Sequence, residues 1–362
     1  MDIINIIIAL LSFIFLLVAH EFGHFYIAKK FGIKILEFGI GLPPRIIGKK
    51  IGDTIYSINA IPFGAFVKML GEDPQDETKD SASFSQKPIY QRILVVLGGV
   101  LAFWILAFVL LSAQNFIGAI KVDNTDKVIP NSRIIIDDVL DNSPAKESGV
   151  KPFSEILYAK EDDKVYYFNN VKEFIEFVSK RPNKEFILAV KEPVGKEKEF
   201  IIKPRLLENE GRGIIGVQII RTYFEKTPLH MAFIRGAQDT YYLTKSVIVG
   251  IYDLISKASK GENVQDYVAG PPKIFKLFTE YASSSLTEYL RFIAVIAISL
   301  AVINILPIPA LDGGKIVFLI IEAIIGKPVN REWEAKITTF FFFLLLGLIT
   351  WVSVKEIIEF VK

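Results

Sequence analysis

Long, almost unbroken apolar runs alternate along this chain with stretches in which charged and apolar residues mix. Four runs reach the roughly 20 residues that a helix needs to cross a bilayer. They cover residues 3 to about 28, about 93–116, about 289 through ILPIPAL, and about 337–358. A fifth run, 314–325, is apolar but too short to span, and reads as a buried or re-entrant helix. Residues 29–91 are rich in Gly and Pro. Within them the β-prone pieces 54–58 and 65–69 are split by Asn59-Ala60-Ile61-Pro62, which reads as hairpin material. Residues 72–79 form a charged loop.

Residues 121–218 differ in kind. Ionic and apolar residues alternate there, and no stretch is long enough to span. Residues 133–140, 185–190, 199–202 and 213–219 read as strands, with a turn at Pro193-Val194-Gly195-Lys196. Val171, Phe174, Ile175 and Val178 fall at helical spacing. This is a small β-rich domain with at least one helix. Residues 227–260 are amphipathic, with Tyr241, Tyr242 and several lysines, and read as an interfacial helix. The fold class is therefore a multi-span α-helical membrane protein of about four transmembrane helices, with a membrane-associated β-hairpin and an inserted α+β domain. The divisions are 1–120, 121–220 and 221–362.

Composition agrees. The chain of 362 residues is 51% hydrophobic, and its net charge of +2 gives no footprint for nucleic acid. It holds no cysteine, so disulfides and thiolate metal ligands are excluded. The first run lacks a basic start and a small-residue cleavage site, so it reads as a retained span rather than a signal peptide. Basic residues cluster between spans one and two (Lys29, Lys30, Lys34, Arg45, Lys49, Lys50) and between spans three and four (Lys315, Lys327, Arg331, Lys336). The positive-inside rule puts both connections in the cytoplasm and the β-rich domain outside.

The first run also carries groups that a span does not carry idly. Polar groups at membrane depth do chemistry or find partners. Two of the chain's three histidines fall in His20-Glu21-Phe22-Gly23-His24. Positions i and i+4 share a helix face, so His20 and His24 can bind one metal ion with Glu21 beside it as general base. A catalytic zinc site needs a third protein ligand and an open position. Without cysteine, and with His230 far off in the amphipathic stretch, that ligand should be a carboxylate. Asp312 is the candidate, because Pro307 and Pro309 break the third span just before it, and unwound backbone at membrane depth is tolerated where it lines a polar cavity. The alternative is that Asp312 caps the short helix that follows. Asn304 either hydrogen-bonds substrate backbone or the metal's water, or makes an interhelical hydrogen bond. Glu322, on the short helix, reads as a buried or interface acid.

HEFGH in the first span together with NILPIPALDGG in the third resembles the site-2 protease family of intramembrane zinc metalloproteases, its bacterial regulated-intramembrane-proteolysis branch above all. The resemblance covers essentially the whole chain. It implies one zinc per chain on His20, His24 and Asp312, with Glu21 as the catalytic glutamate. IPFGAFVK is similar to the family's membrane-associated β-hairpin, whose edge takes up an extended substrate strand; this implies substrate contacts at Gly64, Ala65, Phe66 and Val67. Ser143-Pro144-Ala145 through Gly149-Val150 resembles the start of a PDZ domain, and only one such domain fits. Val268-Ala269-Gly270-Pro271 resembles the family's G-P element before the third span.

The chain departs from the pattern at Lys151-Pro152-Phe153-Ser154-Glu155, where a PDZ domain usually continues with lysine, any residue, glycine and aspartate. It departs again at Gly98-Gly99-Val100-Leu101-Ala102-Phe103, which lacks an asparagine common in relatives. The implied protein is a bacterial inner-membrane endopeptidase with its active site toward the cytoplasmic side. Its substrates would be single-span membrane proteins already cut by another protease, such as anti-sigma factors or signal-peptide remnants. Two other classes stand beside it: a catalytically idle membrane scaffold tethering partners through the PDZ-like domain, and a zinc transporter.

Overall fold

A computed structural model describes residues 2–72, 79–123, 129–192, 196–207, 211–262, 264 and 268–361. The chain divides into two compact units, one of residues 1–117 and 228–362 and one of residues 118–227. The charged loop expected at 72–79 and the turn expected at 193–196 lie, apart from Glu72, Lys79 and Lys196, outside the described residues.

The first unit opens with helix α1 (Ile3–Lys30), capped by Asp2 and closed by Lys29 and Lys30, which suit the negative end of its dipole. Strands β1 (Ile35–Ile51) and β2 (Thr54–Met69) follow, then a 3-10 turn (Phe84–Gln86) and helix α2 (Ile89–Ile117). β1 and β2 form more than a plain hairpin. Phe38 pairs with Val67 on one side and with Tyr56 on the other, while Lys49 also pairs with Tyr56. The ribbon thus curls so that residues 65–69 form an outer edge. Polar groups fix the curl: Arg45 donates to the Glu37 carboxylate at 2.5 and 3.1 Å, Ser57 donates to it at 2.6 Å, and the Asn59 amide donates to the Gly41 carbonyl at 3.2 Å.

The second unit begins with β3 (Ala119–Asp123) and β4 (Arg133–Val139), then α3 (Pro144–Glu147), β5 (Glu155–Glu161), β6 (Lys164–Tyr166) and α4 (Val171–Ser179). It continues with β7 (Phe186–Lys191), β8 (Glu197–Ile202), β9 (Arg205–Leu207), β10 (Arg212–Ile214) and β11 (Val217–Glu225). The main sheet has the order β3-β11-β4-β5-β7-β8, with β6 on β5 and a separate β9-β10 pair. Phe174, Ile136, Leu188 and Ile202 are fully buried in its core. Burying each contributes about 1.5–3 kcal/mol. The expected strand at 213–219 is split between β10 and β11, with Gly216 between them at φ +74°. A Cβ there would lie 2.3 Å from the Ser143 Cβ.

The first unit resumes with α5 (Leu229–Ser259), α6 (Pro271–Ala282), α7 (Leu286–Asn304), α8 (Asp312–Ile325) and α9 (Arg331–Val361). Helices α1, α2, α7 and α9 are long and apolar enough to cross a membrane. Small residues let α1 and α2 approach closely, as in membrane helix pairs: a Cβ on Gly23 would lie 2.1 Å from the Gly98 carbonyl oxygen. Leu16, Phe103, Leu111, Phe278 and Ile298 fill the core between the helices. Tyr289 on α7 donates to Ser12 on α1 at 2.6 Å. The 227–260 segment forms the single long helix α5, whose Leu243, Val247 and Ile251 pack on this same core. A second core at the base of the hairpin joins Phe25, Ile35, Phe38, Met69, Phe84 and Leu319. It fixes β2 and α8 around the C-terminal end of α1.

Candidate active site

Helix α7 ends at Asn304, and α8 begins at Asp312. The intervening Pro307 and Pro309 cannot donate to a continuing helix, and Ile308 N–H turns back to the Leu306 carbonyl at 2.7 Å. Gly313 and Gly314 let α8 start directly beneath this turn. A Cβ on Gly313 would lie 2.2 Å from the Leu306 oxygen, and one on Gly314 2.3 Å from the Ile308 oxygen. Asp312 does not cap α8: the N-cap position is Leu311, and Asp312 is the first helical residue.

The break aims Asp312 at α1. Its Oδ2 lies 3.4 Å from His20 Nε2 and 3.5 Å from His24 Nε2, and the two Nε2 atoms are 3.2 Å apart. Both histidines are held in place. His24 Nδ1 lies 2.9 Å from the Val95 carbonyl, and the His20 ring stacks on Phe103 with centroids 4.8 Å apart. Gly99 of α2 makes room for both rings: a Cβ there would lie 2.3 Å from His24 Nε2 and 2.5 Å from His20 Cε1.

These three groups fit a zinc ion. A tetrahedral ion with bonds of about 2.0–2.2 Å spaces its ligands about 3.3–3.6 Å apart, close to the 3.2, 3.4 and 3.5 Å found. With Nδ1–H donated to Val95, neutral His24 turns a lone pair at Nε2 toward a carboxylate oxygen. Two acceptors that close repel unless a proton or a metal ion stands between them. Asp312 Oδ2 is also buried without a hydrogen-bond donor, as a ligand atom would be.

His20, Glu21, His24 and Asp312 line one cavity of about 150 Å³, together with Val67, Met69, Val96, Glu72 and Lys315. Of the hairpin residues expected to meet substrate, Val67 lines this cavity. Gly64, Ala65 and Phe66 lie on the same strand β2 but outside the lining, and Asn304 at the end of α7 is outside it as well. His230 lies in the first turn of α5.

Several contributors escape sequence reading. Lys315 bonds Glu72 at 2.6 Å across the cavity wall. Its spacing from Asp312, one helical turn on the same face, was the available signal. Arg92 on α2 grips Glu322 on α8 with two bonds, 2.5 and 3.0 Å. Two lone opposite charges on apolar helices were the hint that they pair. On α9, buried Glu356 accepts from Gly270 N at 2.6 Å and Lys273 N at 3.0 Å, so the Gly270-Pro271 element is the capped start of α6.

Fold and site together define a membrane-type metallopeptidase. The family described as peptidase family M50 matches residues 8–348, and this chain belongs to it. A putative zinc metalloprotease of Clostridium perfringens is 32% identical, over 98% of this chain and 98% of its own length. The regulator of sigma-W protease RasP of Bacillus subtilis is 27% identical, over 98% and 99%. A probable protease, Eep, of Enterococcus faecalis is 28% identical, over 97% and 99%.

Proposed function

We propose that this chain is an intramembrane zinc endopeptidase that hydrolyses peptide bonds within or near transmembrane segments of other membrane proteins. The observation that carries this reading is the convergence of His20 Nε2, His24 Nε2 and Asp312 Oδ2 within 3.2–3.5 Å on a cavity that Glu21 also lines. When bound, zinc supplies a Lewis acid for the scissile carbonyl and acidifies its water. The chain's own groups do the rest. Glu21 takes a proton from the attacking water and returns it to the leaving amine. Val95 and Phe103 keep the two imidazoles aimed, and Val96 and Met69 line the cavity with apolar groups.

The substrate lies extended along the outer edge of β2, at residues 65–69, adding a strand to the curled sheet. Val67 and Met69, two residues apart on one face of that strand, both line the cavity, which supports this placement. A helical substrate must unwind to reach it, which suits a cut near the end of a single span already trimmed by another protease. Membrane-anchored anti-sigma factors and signal-peptide remnants fit that description. We assign the chain to the bacterial inner membrane, with the active site toward the cytoplasm and residues 118–227 outside as one PDZ-like domain. The basic residues flanking the spans support this orientation.

The test is cleavage of a co-expressed single-span protein. Wild-type chain should cut it in a chelator-sensitive way and Glu21→Gln should not. Undiminished turnover by Glu21→Gln defeats the assignment of Glu21.

A further inference from the structure

The cavity holds one ion pair that the chemistry above leaves unused. Lys315 and Glu72 both line it, with Nζ 2.6 Å from Glu72 Oε1. Lys315 stands one helical turn after Asp312, on the face of α8 that carries the proposed metal ligand. Its ammonium also lies over the Phe84 ring, 5.3 Å from the centroid, so an aromatic wall and a carboxylate aim it. Glu72 sits three residues after the end of β2, where an added substrate strand would run out. Lys315 keeps about a third of its side chain exposed and Glu72 about a quarter, so the pair is open to the cavity rather than sealed in the core.

The formal charges give this lysine a task. The lining holds three carboxylates, Glu21, Glu72 and Asp312, and Lys315 is the one Lys or Arg among the described lining residues. The sum is −2, which a divalent ion cancels. When Glu21 takes the water's proton, its negative charge passes to the carbonyl oxygen; the sum stays balanced but the charge moves, and a lysine on the cavity wall can follow it.

Resting on the peptidase reading above, we propose that Lys315 is a catalytic residue that hydrogen-bonds the scissile carbonyl oxygen as it becomes negative, and that Glu72 is the positioning residue that holds the lysine until substrate arrives. In the reaction, the water oxygen joins the carbonyl carbon and the C–N bond breaks. One water proton passes through Glu21 to the amine, leaving a carboxylate and an amine. Lys315 keeps its protons throughout and donates a hydrogen bond alone. Preformed donors aimed at developing charge act most strongly where water is excluded.

The experiment compares Lys315→Met, Lys315→Arg and Glu72→Gln in the full-length protein. Zinc content, melting temperature, kcat, KM and affinity for a phosphonamidate peptide that mimics the tetrahedral oxyanion are measured. Lys315→Met should lose about 10²-fold in kcat with KM little changed and zinc retained. It should bind the phosphonamidate at least tenfold more weakly. Lys315→Arg should recover most of both, and Glu72→Gln should lose at least tenfold less kcat than Lys315→Met. If the pair only fastens β2 to α8, Lys315→Met and Glu72→Gln will lose turnover and melting temperature equally, which overturns the proposal. So does a Lys315→Met with wild-type kcat or undiminished phosphonamidate affinity. Should Lys315→Met fail to fold, Lys315→Gln replaces it, and equal turnover of the Gln and Arg variants overturns the proposal. Glu21→Gln in the same assay separates the two readings. Full activity there strikes the peptidase chemistry, whereas an inactive Glu21→Gln beside a fully active Lys315→Met strikes the lysine alone.

Discussion

The carbonyl of Val95 accepts a hydrogen bond from His24 Nδ1 across 2.9 Å. This one bond joins α2 to α1 and sets the tautomer of a proposed ligand, leaving Nε2 free to face Asp312. Partners of this kind raise ligand basicity and fix ring orientation. They depend here on how closely the backbone of α2 approaches α1.

That approach rests on glycine. In Gly99→Ala the added methyl would stand 2.3 Å from His24 Nε2, closer than any contact can be, so the rings must move. Purified Gly99→Ala should keep its helix content by circular dichroism yet lose bound zinc and turnover together. Normal zinc in that variant would mean that the imidazoles are not held as described.

The Arg92–Glu322 pair, with side chains 11% and 13% exposed, anchors α8 to α2 and so carries Asp312 into place. Removing one partner leaves a charge buried alone, at a cost of about 3–5 kcal/mol. Arg92→Met should therefore lower stability and zinc occupancy sharply, and Glu322→Met in the same chain should restore much of both. A double variant no better than the single would contradict the pairing.

Glu356→Gln tests the tie between α9 and α6. The glutamate's two bonds go to Gly270 N and Lys273 N at the start of α6, where a negative charge also meets the positive end of the helix dipole. Losing that charge should cost about 1 kcal/mol. Hydrogen exchange should quicken at Gly270 and at residues 273–275 and stay unchanged at α2.

In the 118–227 unit, Glu161 accepts from Lys184 at 2.8 Å and from Arg181 at 2.9 and 3.0 Å. Hydrogen bonds from Lys184 and then Arg181 hold its carboxyl below the usual carboxylate range. A lowered folded pKa contributes stability above the unfolded value, and that contribution is lost as pH falls through the folded one. Exchange protection in this unit should therefore drop as pH falls below about 4.5, and more gently in Glu161→Gln. An identical pH profile for the two proteins would remove Glu161 from the account.

The apolar runs marked α1 and α2 to within a few residues and located α7 and α9 with looser ends, because a membrane span is written in composition. The HEFGH spacing placed two imidazoles on one face, and the prolines before Asp312 marked a broken span. What sequence reading missed was contact across distance. Nothing local says that Gly99 backs the histidines or that Glu72 meets Lys315. The double pairing of Phe38 with Val67 and Tyr56 was hidden because two short β-prone pieces resemble any hairpin, and their curl is set by side chains such as Glu37 and Asn59. The amphipathic stretch read as an interfacial helix forms α5, and its apolar stripe does not name the partner it packs on, here the core it shares with α2 and α7.

The central claim is that one zinc ion is held by His20, His24 and Asp312, and metal analysis of the purified protein tests it most directly. Wild-type chain and Glu21→Gln should each carry about one zinc, and Asp312→Ala and His24→Ala, folded by circular dichroism, far less. Full zinc occupancy in Asp312→Ala would contradict the account.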